Sequence, residues 1–339
     1  MDTVVAGRLT NFLDSRGLGT GPLTWERVGE GQSNITYRLA RGDTTLVLRR
    51  GPQPPFPSST HDMMREARIQ QLLRPHGVPV PEVLAVCPDD DVLGVPFYVM
   101  EWLDGCVITG SVPAALDTEP QRRATSLALV HALVQLHAVD VTREPLNSFG
   151  KAAGYLERQV RRFAGLWEVS SVRHLPEVAR LATWLTGNLP PASAVSVVHG
   201  DFRLGNLMLH RQPPAATLAI LDWEMAALGD PLADLGYLTA TYTDRTSIPT
   251  PLHLSPVTAR PGYLSRTELA TEYAERTGAD LRALPWYETL ALWKAAIFCE
   301  AIYTRWISGE RPHDWTFAPT LEAGVPALLA AAEAARARP

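Results

Sequence analysis

Cysteine is scarce in this chain. Only Cys87, Cys106 and Cys299 occur among 339 residues, far apart and without C-x-x-C spacing, so neither a disulfide framework nor a zinc knuckle is expected. Long apolar runs are missing as well: no uninterrupted stretch approaches the roughly 18 residues that a membrane-crossing helix needs. The opening MDTVVAGRLTNFLDSRG carries an acid at position 2 and no extended apolar core, and a cytoplasmic location is the expectation. Neither sign of charge dominates. With 31 basic against 36 acidic side chains and a formal net charge of −5, bulk charge gives no reason to expect nucleic acid or an anionic membrane as partner. No internal repeat is visible, and the one compositionally simple tract, the alanine-rich C-terminus, reads as a surface-docked helix.

What is present is enough apolar material, 46% of the residues, to fill the core of two domains or of one large bilobal one. In WERVGEGQSNITYRLARGDTTLVLRR, residues 25–50, two β runs, ITYRLA and TTLVLRR, meet at Arg41-Gly42-Asp43 after a glycine-rich loop. The prolines of GPQPPFPSST make it a loop. Ser58, Ser59 or Thr60 is then expected to cap a helix through HDMMREARIQQLLRPHG, although that helix lacks a clean apolar stripe. VPVPEVLAVCPDDDVLGVPFYVMEWLDG reads as two more strands. From about residue 120 the signals turn helical: QRRATSLALVHALVQLHAVD, the basic amphipathic GYLERQVRRFAGLW, LWKAAIFCEAIYTRW and VPALLAAAEAARAR. The expected architecture is α+β, with a small β-rich N-terminal lobe and hinge over residues 1–103 and a larger helical lobe over residues 104–339.

One stretch carries chemistry. In VVHGDFRLGNLMLH, residues 197–210, Asp201 and Asn206 stand five apart within a loop, a spacing that lets two oxygen-bearing side chains converge when Gly205 permits a tight backbone. Asp222 follows at the end of the expected strand TLAILDW. A carboxylate there suits a hard cation, because magnesium takes one or two oxygens from a protein and the rest from phosphates and water. Such an arrangement is one of phosphoryl transfer.

H-x-D-x-x-x-x-N followed by a strand and Asp resembles the protein-kinase-like superfamily. The form His199-Gly200-Asp201, with Asp222-Trp223-Glu224 and the following GDPLADLGYL, is similar to the aminoglycoside phosphotransferase branch of small-molecule kinases. GQSNITYRL, LVLRR, HDMMRE and GVPFYVMEWLDG further resemble the kinase-like domain associated with acyl-CoA dehydrogenases. The resemblance runs from about residue 25 to 240 and implies a bilobal protein-kinase-like fold, with ATP and Mg2+ as cofactors.

It also implies roles. The loop from Gly29 to Asn34, with Gly31 and the Ser33 hydroxyl, covers the nucleotide phosphates. Strand alternation puts Val47 and Arg49 on one face, Val47 toward adenine and Arg49 in place of the family's more common lysine, with Arg50 as the alternative. Glu66 pairs with that cation, or is a solvated helix-face carboxylate. Met100 lies behind the adenine, and the backbones of Glu101 and Leu103 meet its edge. Asp201 accepts or orients the acceptor's hydroxyl proton, while Asn206 and Asp222 hold magnesium. His199 braces the loop, Glu224 supports the metal site or is exposed, and Asp230 and Asp234 anchor the catalytic loop.

The same segment excludes something. Protein kinases follow their metal aspartate with an activation loop and an Ala-Pro-Glu segment, for which Trp223-Glu224-Met225 and the early Gly229-Asp230-Pro231 leave no room. A small-molecule acceptor is expected, and no protein partner. Between Lys151 and Arg180 six bases face three acids, so Arg158, Arg161 or Arg162 could meet the phosphates of an anionic acceptor such as a hydroxyacyl-CoA, unless they form a solvated helix face. The alternatives are an antibiotic phosphotransferase and a nucleotide-binding pseudokinase, the latter favoured only by arginine standing where lysine is usual.

Overall fold

The computed structural model describes residues 3–29, 34–52, 62–191, 194–245, 247–310 and 314–338. Along the first part of the chain run α1 (Thr3–Asp14), β1 (Leu23–Val28), β2 (Ile35–Arg41), β3 (Thr44–Arg50), α2 (Met63–Leu73), β4 (Val83–Cys87), β5 (Phe97–Glu101) and β6 (Gly105–Val107). Then come α3 (Glu119–His137), α4 (Tyr155–Ser170), α5 (Pro176–Gly187), β7 (Ser196–Val198), β8 (Leu207–His210), β9 (Thr217–Ile220), β10 (Ala227–Gly229), α6 (Leu232–Thr241), α7 (Arg266–Thr277), α8 (Leu284–Ile307) and α9 (Leu321–Arg336). Two compact units result, residues 1–105 with 218–226, and residues 106–217 with 227–339.

The first unit is built on an antiparallel sheet of order β1-β2-β3-β5-β4. Alternation in β3 sends Leu46 and Leu48 to one face, where Leu39, Phe97 and Val99 join Leu9, Phe12 and Leu13 of α1 in an apolar core. On the other face Val47, Tyr98 and Met100 pack with Met63 and Ala67 of α2. Leu9, Phe12 and Leu13 recur at helical spacing, the stripe that docks α1 on the sheet. Neither α1 nor β1 is among the expected elements, and β1 buries little of its surface. Helix α2 begins at Met63, capped by the Asp62 carboxylate accepting from Arg65 N–H (2.9 Å). The expected cap at Ser58, Ser59 or Thr60 is thereby corrected, and those three residues lie outside the described ones. Residues 218–226 join this unit: Ile220 N–H donates to the Pro79 carbonyl (2.7 Å), and Arg65 to the Ala226 carbonyl (3.1 Å).

The second unit is organised around α8, which packs against α4, α5, α6 and α9. A helix enclosed by four neighbours needs apolar residues nearly all round, and Trp286, Tyr287, Leu290, Trp293, Ala296 and Ile297 supply them. Its tryptophans are also polar struts, Trp286 Nε1 donating to the Leu185 carbonyl and Trp293 Nε1 to the Val178 carbonyl, each at 3.1 Å. Helix α6 approaches closely enough that a Cβ on Gly236 would lie 2.4 Å from Tyr287 Cβ. Gly236→Ala should therefore destabilise the fold by ~1–3 kcal/mol through overpacking. Gly165→Ala, on the open face of α4, should stabilise it by ~0.5–1 kcal/mol. Urea denaturation of the two variants checks both signs.

Candidate active site

In the first unit, antiparallel register sets Arg49 opposite Tyr98. From α2, Glu66 comes to the same point: Arg49 Nε is 2.8 Å from Glu66 Oε1, and Arg49 Nη2 donates to Asp222 Oδ1 at 2.5 Å. Tyr98 donates its hydroxyl to Glu66 Oε1 (3.1 Å) and accepts from Gln70 Nε2 (3.1 Å). Here lies the reason α2 lacks a clean apolar stripe. Its buried face includes Glu66 and Gln70, two polar residues that serve this network. Burial opposes charge throughout the cluster. It raises the Glu66 pKa against the pull of Arg49, and raises that of Tyr98. On Arg49 it is outweighed by Glu66, Tyr98 and Asp222, which hold the guanidinium charged. Arg50 instead turns back to the Gly51 carbonyl and toward the Tyr37 ring, so of the two arginines it is Arg49 that meets Glu66.

Asp222 has φ +67, the one non-glycine residue among those described with a left-handed backbone. An L side chain is strained there, and two bonds fix the corner: Trp223 Nε1 donates back to the Ile220 carbonyl (2.9 Å), and Asn34 Nδ2 donates to Glu224 Oε2 (2.8 Å). Glu224 is thus tied to the end of the glycine loop. Gly29 opens that loop with φ +76, while Gly31 and Ser33 lie outside the described residues. Within the sheet, Val47 of the central strand is buried against Met100, its partner on β5. The Glu101 carboxylate accepts from Glu82 N–H (2.8 Å) and Arg74 (3.2 Å), and the Leu103 carbonyl accepts from Gly105 N–H (3.1 Å).

In the second unit, β7 pairs with β10 and delivers the chain into residues 199–206. Asp234, fully buried on α6, accepts from the backbone N–H of His199 (2.6 Å) and of Gly200 (2.8 Å), and lies 3.3 Å from His137 Nε2. Gly200, at φ +85, makes the turn. Asp201 N–H then donates to His199 Nδ1 (3.2 Å), whose buried ring stacks edge-on against Phe202. Asn206 Nδ2 donates to both the Asp201 carbonyl and its Oδ2, each at 2.8 Å. That orientation commits the amide nitrogen and leaves Oδ1 as the group Asn206 can offer a cation. Asp230 accepts from the Tyr287 hydroxyl (2.9 Å) and from Leu232 N–H (3.0 Å).

Around Asp201 stand residues that the motif does not contain. Arg203 Nε is 3.5 Å from Asp201 Oδ1. The Tyr237 hydroxyl hydrogen-bonds Asp201, and burial, then that carboxylate, pushes its pKa up. Lys294 of α8 feels Asp201 and Asp234 electrostatically. Tyr237 could be suspected only from the helical phase of GDPLADLGYL after Asp234. For Lys294 a signal exists: it is one of two lysines among the 31 basic residues, set in an otherwise apolar helix. The three α4 arginines separate by helical phase. Arg158 folds back onto the carbonyls of Lys151 and Ala153, Arg161 lines a groove with Ala182 and Thr183 of α5, and Arg162 acts on Tyr155 and Lys294.

The class is that of a phosphotransferase with a protein-kinase-like fold. The chain belongs to the phosphotransferase enzyme family, whose sequence model matches residues 24–290. Acyl-CoA dehydrogenase family member 10 of Mus musculus is 40% identical over 231 residues, 68% of this chain and 21% of that protein. Family member 11 of Rattus norvegicus is 32% identical over 299 residues, 87% of this chain and 38% of that protein. The chain therefore spans about two fifths or less of those relatives' length. Among solved structures, a Ralstonia eutropha JMP134 protein provisionally assigned as an aminoglycoside phosphotransferase superposes with a TM-score of 0.81 at 28% identity, over 97% of this chain and 98% of that one. Choline kinase from Cryptosporidium parvum Iowa II shares the fold, with a TM-score of 0.63 at 12% identity over 96% of each chain.

Removing one member of a buried ion pair leaves the other uncompensated. Arg49→Met should cost ~3–5 kcal/mol on that account, and adding Glu66→Gln should recover part of the loss, because the amide needs no counter-charge. Denaturant melts of the single and double variants read this. A double variant no more stable than the single one would show that Glu66 does not rely on Arg49.

Proposed function

We propose that the chain transfers the γ-phosphoryl group of ATP to a hydroxyl of a small molecule in a magnesium-dependent reaction, and that the acceptor is a hydroxyacyl-CoA. The observation that carries the transfer is the clasp between Asp201 and Asn206. One amide nitrogen fixes both the backbone and the carboxylate of Asp201, so the proposed proton acceptor is preset and Asn206 Oδ1 is left as a hard oxygen. Asp222 offers a carboxylate oxygen of the kind magnesium prefers, and Asn206 and Asp222 are the proposed ligands. When bound, the ion would neutralise charge on the β- and γ-phosphates.

The protein's own groups do the rest. Asp201 takes or orients the hydroxyl proton, Arg203 and Tyr237 hold its carboxylate in place, and Asp234 fixes the loop through two backbone N–H groups. Arg49 is the proposed phosphate contact, with Glu66 setting its position. The glycine loop, Gly31 and Ser33 included, is assigned to the phosphates, Val47 and Met100 to the adenine faces, and the Glu101 carbonyl and Leu103 N–H to its edge. Phosphoryl transfer needs positioning and charge compensation more than covalent chemistry, and these residues supply both.

Support for the acceptor comes from the relatives, which are acyl-CoA dehydrogenase family members, and from Arg162, whose charge acts toward Tyr155 and Lys294. A polycationic drug would be repelled there.

Two outcomes test the proposal. Asp201→Asn should keep fold and nucleotide affinity while lowering transfer ~10²–10⁴-fold. ADP release in a coupled assay reads it, and turnover near that of the parent protein removes Asp201 from the mechanism. In a screen of hydroxyacyl-CoA thioesters and kanamycin, transfer should go to a thioester, and Arg162→Glu should raise the KM for it more than Arg161→Glu does. Efficient kanamycin phosphorylation with no response to any thioester would overturn the acceptor assignment and leave the kinase assignment standing.

A further inference from the structure

Lys294 is a half-buried ammonium in the middle of α8. Basic positions in this chain are almost all arginine, with Lys151 the other exception, so the compact lysine here is not the chain's ordinary choice. From α4 it is faced by Arg162, by Gln159, whose Oε1 accepts from Nζ at 3.0 Å, and by the ring of Phe163, 4.7 Å away. Asp234 of α6 and Asp201 of the loop act on it electrostatically. From α5 and α9, which also pack on α8, no charge among the described residues is seen to act on it.

Gln159 is the single hydrogen-bond partner of Nζ among the described residues, while the Asp234 carboxylate is engaged by His199 and Gly200. Among the described residues two of the three ammonium hydrogens therefore have no partner, and a half-buried ammonium gains from a further oxygen. Beside it is a recess of about 20 Å³ lined by Tyr155, Gly200, Asp234, Tyr237 and Lys294. Such a space holds about one water-sized group. A sugar ring or a polyamine arm does not fit, and a single oxygen does.

We infer that Lys294 is a specificity residue that receives one carboxylate or thioester-carbonyl oxygen of the acceptor, on the same short carbon chain as the hydroxyl presented to Asp201. The acceptor class is then a short-chain hydroxy acid or its thioester, and a simple diol or amino alcohol is discriminated against. Lysine suits the recess better than arginine, since a point charge with rotatable donors meets one oxygen where a planar fork seeks two. Burial, then Arg162, brings the Lys294 pKa down to about 8, against the opposing pull of Asp234 and Asp201. The ammonium is present below that pH and lost above it, so acceptor affinity falls as pH rises through about 8.

The inference relies on the phosphotransferase reading for the fate of the hydroxyl, and its test reads binding alone. Ligand-observed NMR titrations of the full chain use 3-hydroxybutyrate, its N-acetylcysteamine thioester and 1,3-butanediol. At pH 7 the acid or the thioester should bind at least tenfold more tightly than the diol. That advantage should vanish in Lys294→Met and shrink in the parent protein between pH 7 and 9. Preference for the acid over the thioester identifies a carboxylate, and the reverse a thioester carbonyl. Equal affinity for all three compounds, or a preference unchanged in Lys294→Met and across that pH range, overturns the inference. If Lys294→Met fails to fold, the pH series on the parent protein decides. Lys294-dependent binding without any transfer from ATP would instead fault the proposed function.

Discussion

The guanidinium of Arg49 stands between two carboxylates from distant parts of the chain, Glu66 on α2 and Asp222 after β9. A charge this far from water persists only when compensated, and the two acids compensate it from different directions. Each element that carries one is thereby committed. Helix α2 must turn Glu66 and Gln70 inward at the expense of apolar packing, Tyr98 must present its hydroxyl to Glu66, and the chain after β9 must accept a left-handed aspartate. Arginine in this position is bulkier than the lysine usual in the wider superfamily, but its fork can engage both acids at once.

The loop of residues 199–206 is held by the same kind of economy. One buried carboxylate, Asp234, accepts two consecutive backbone N–H groups, and one amide, Asn206, fixes Asp201 twice. These bonds are sheltered from water, where hydrogen bonds are stronger and unpaired polar groups costlier. In the proposed reaction, a carboxylate positioned in this way would need little reorganisation when an acceptor hydroxyl arrives. The half-buried ammonium of Lys294, on which Asp201 and Asp234 act electrostatically, is the group inferred to govern acceptor choice.

Much of this geometry was legible in the sequence, because the candidate site residues are set by local pattern. Asp201 and Asn206 lie in one loop, Asp222 follows closely on a strand, and alternation alone puts Arg49 with Val47 and leaves Arg50 on the other face. What could not be read depends on tertiary register. Tyr98 reaches Glu66 only through its pairing opposite Arg49 across β3 and β5, and the inward turn of Gln70 was concealed by the same departure from an apolar stripe that made α2 hard to delimit. Its cap went to Asp62, nearest the first helical turn, over the three hydroxyls upstream. The arginines of α4 looked equivalent as a basic run, yet helical phase divides them among a loop, a groove and the neighbourhood of Lys294.

The most direct measurement is ³¹P NMR of the protein with ATP, magnesium and a mixture of hydroxyl-bearing acceptors. The account predicts a new phosphomonoester resonance that grows in step with ADP and disappears when magnesium is chelated. ADP formed only with inorganic phosphate, or no loss of ATP with any acceptor, would contradict it.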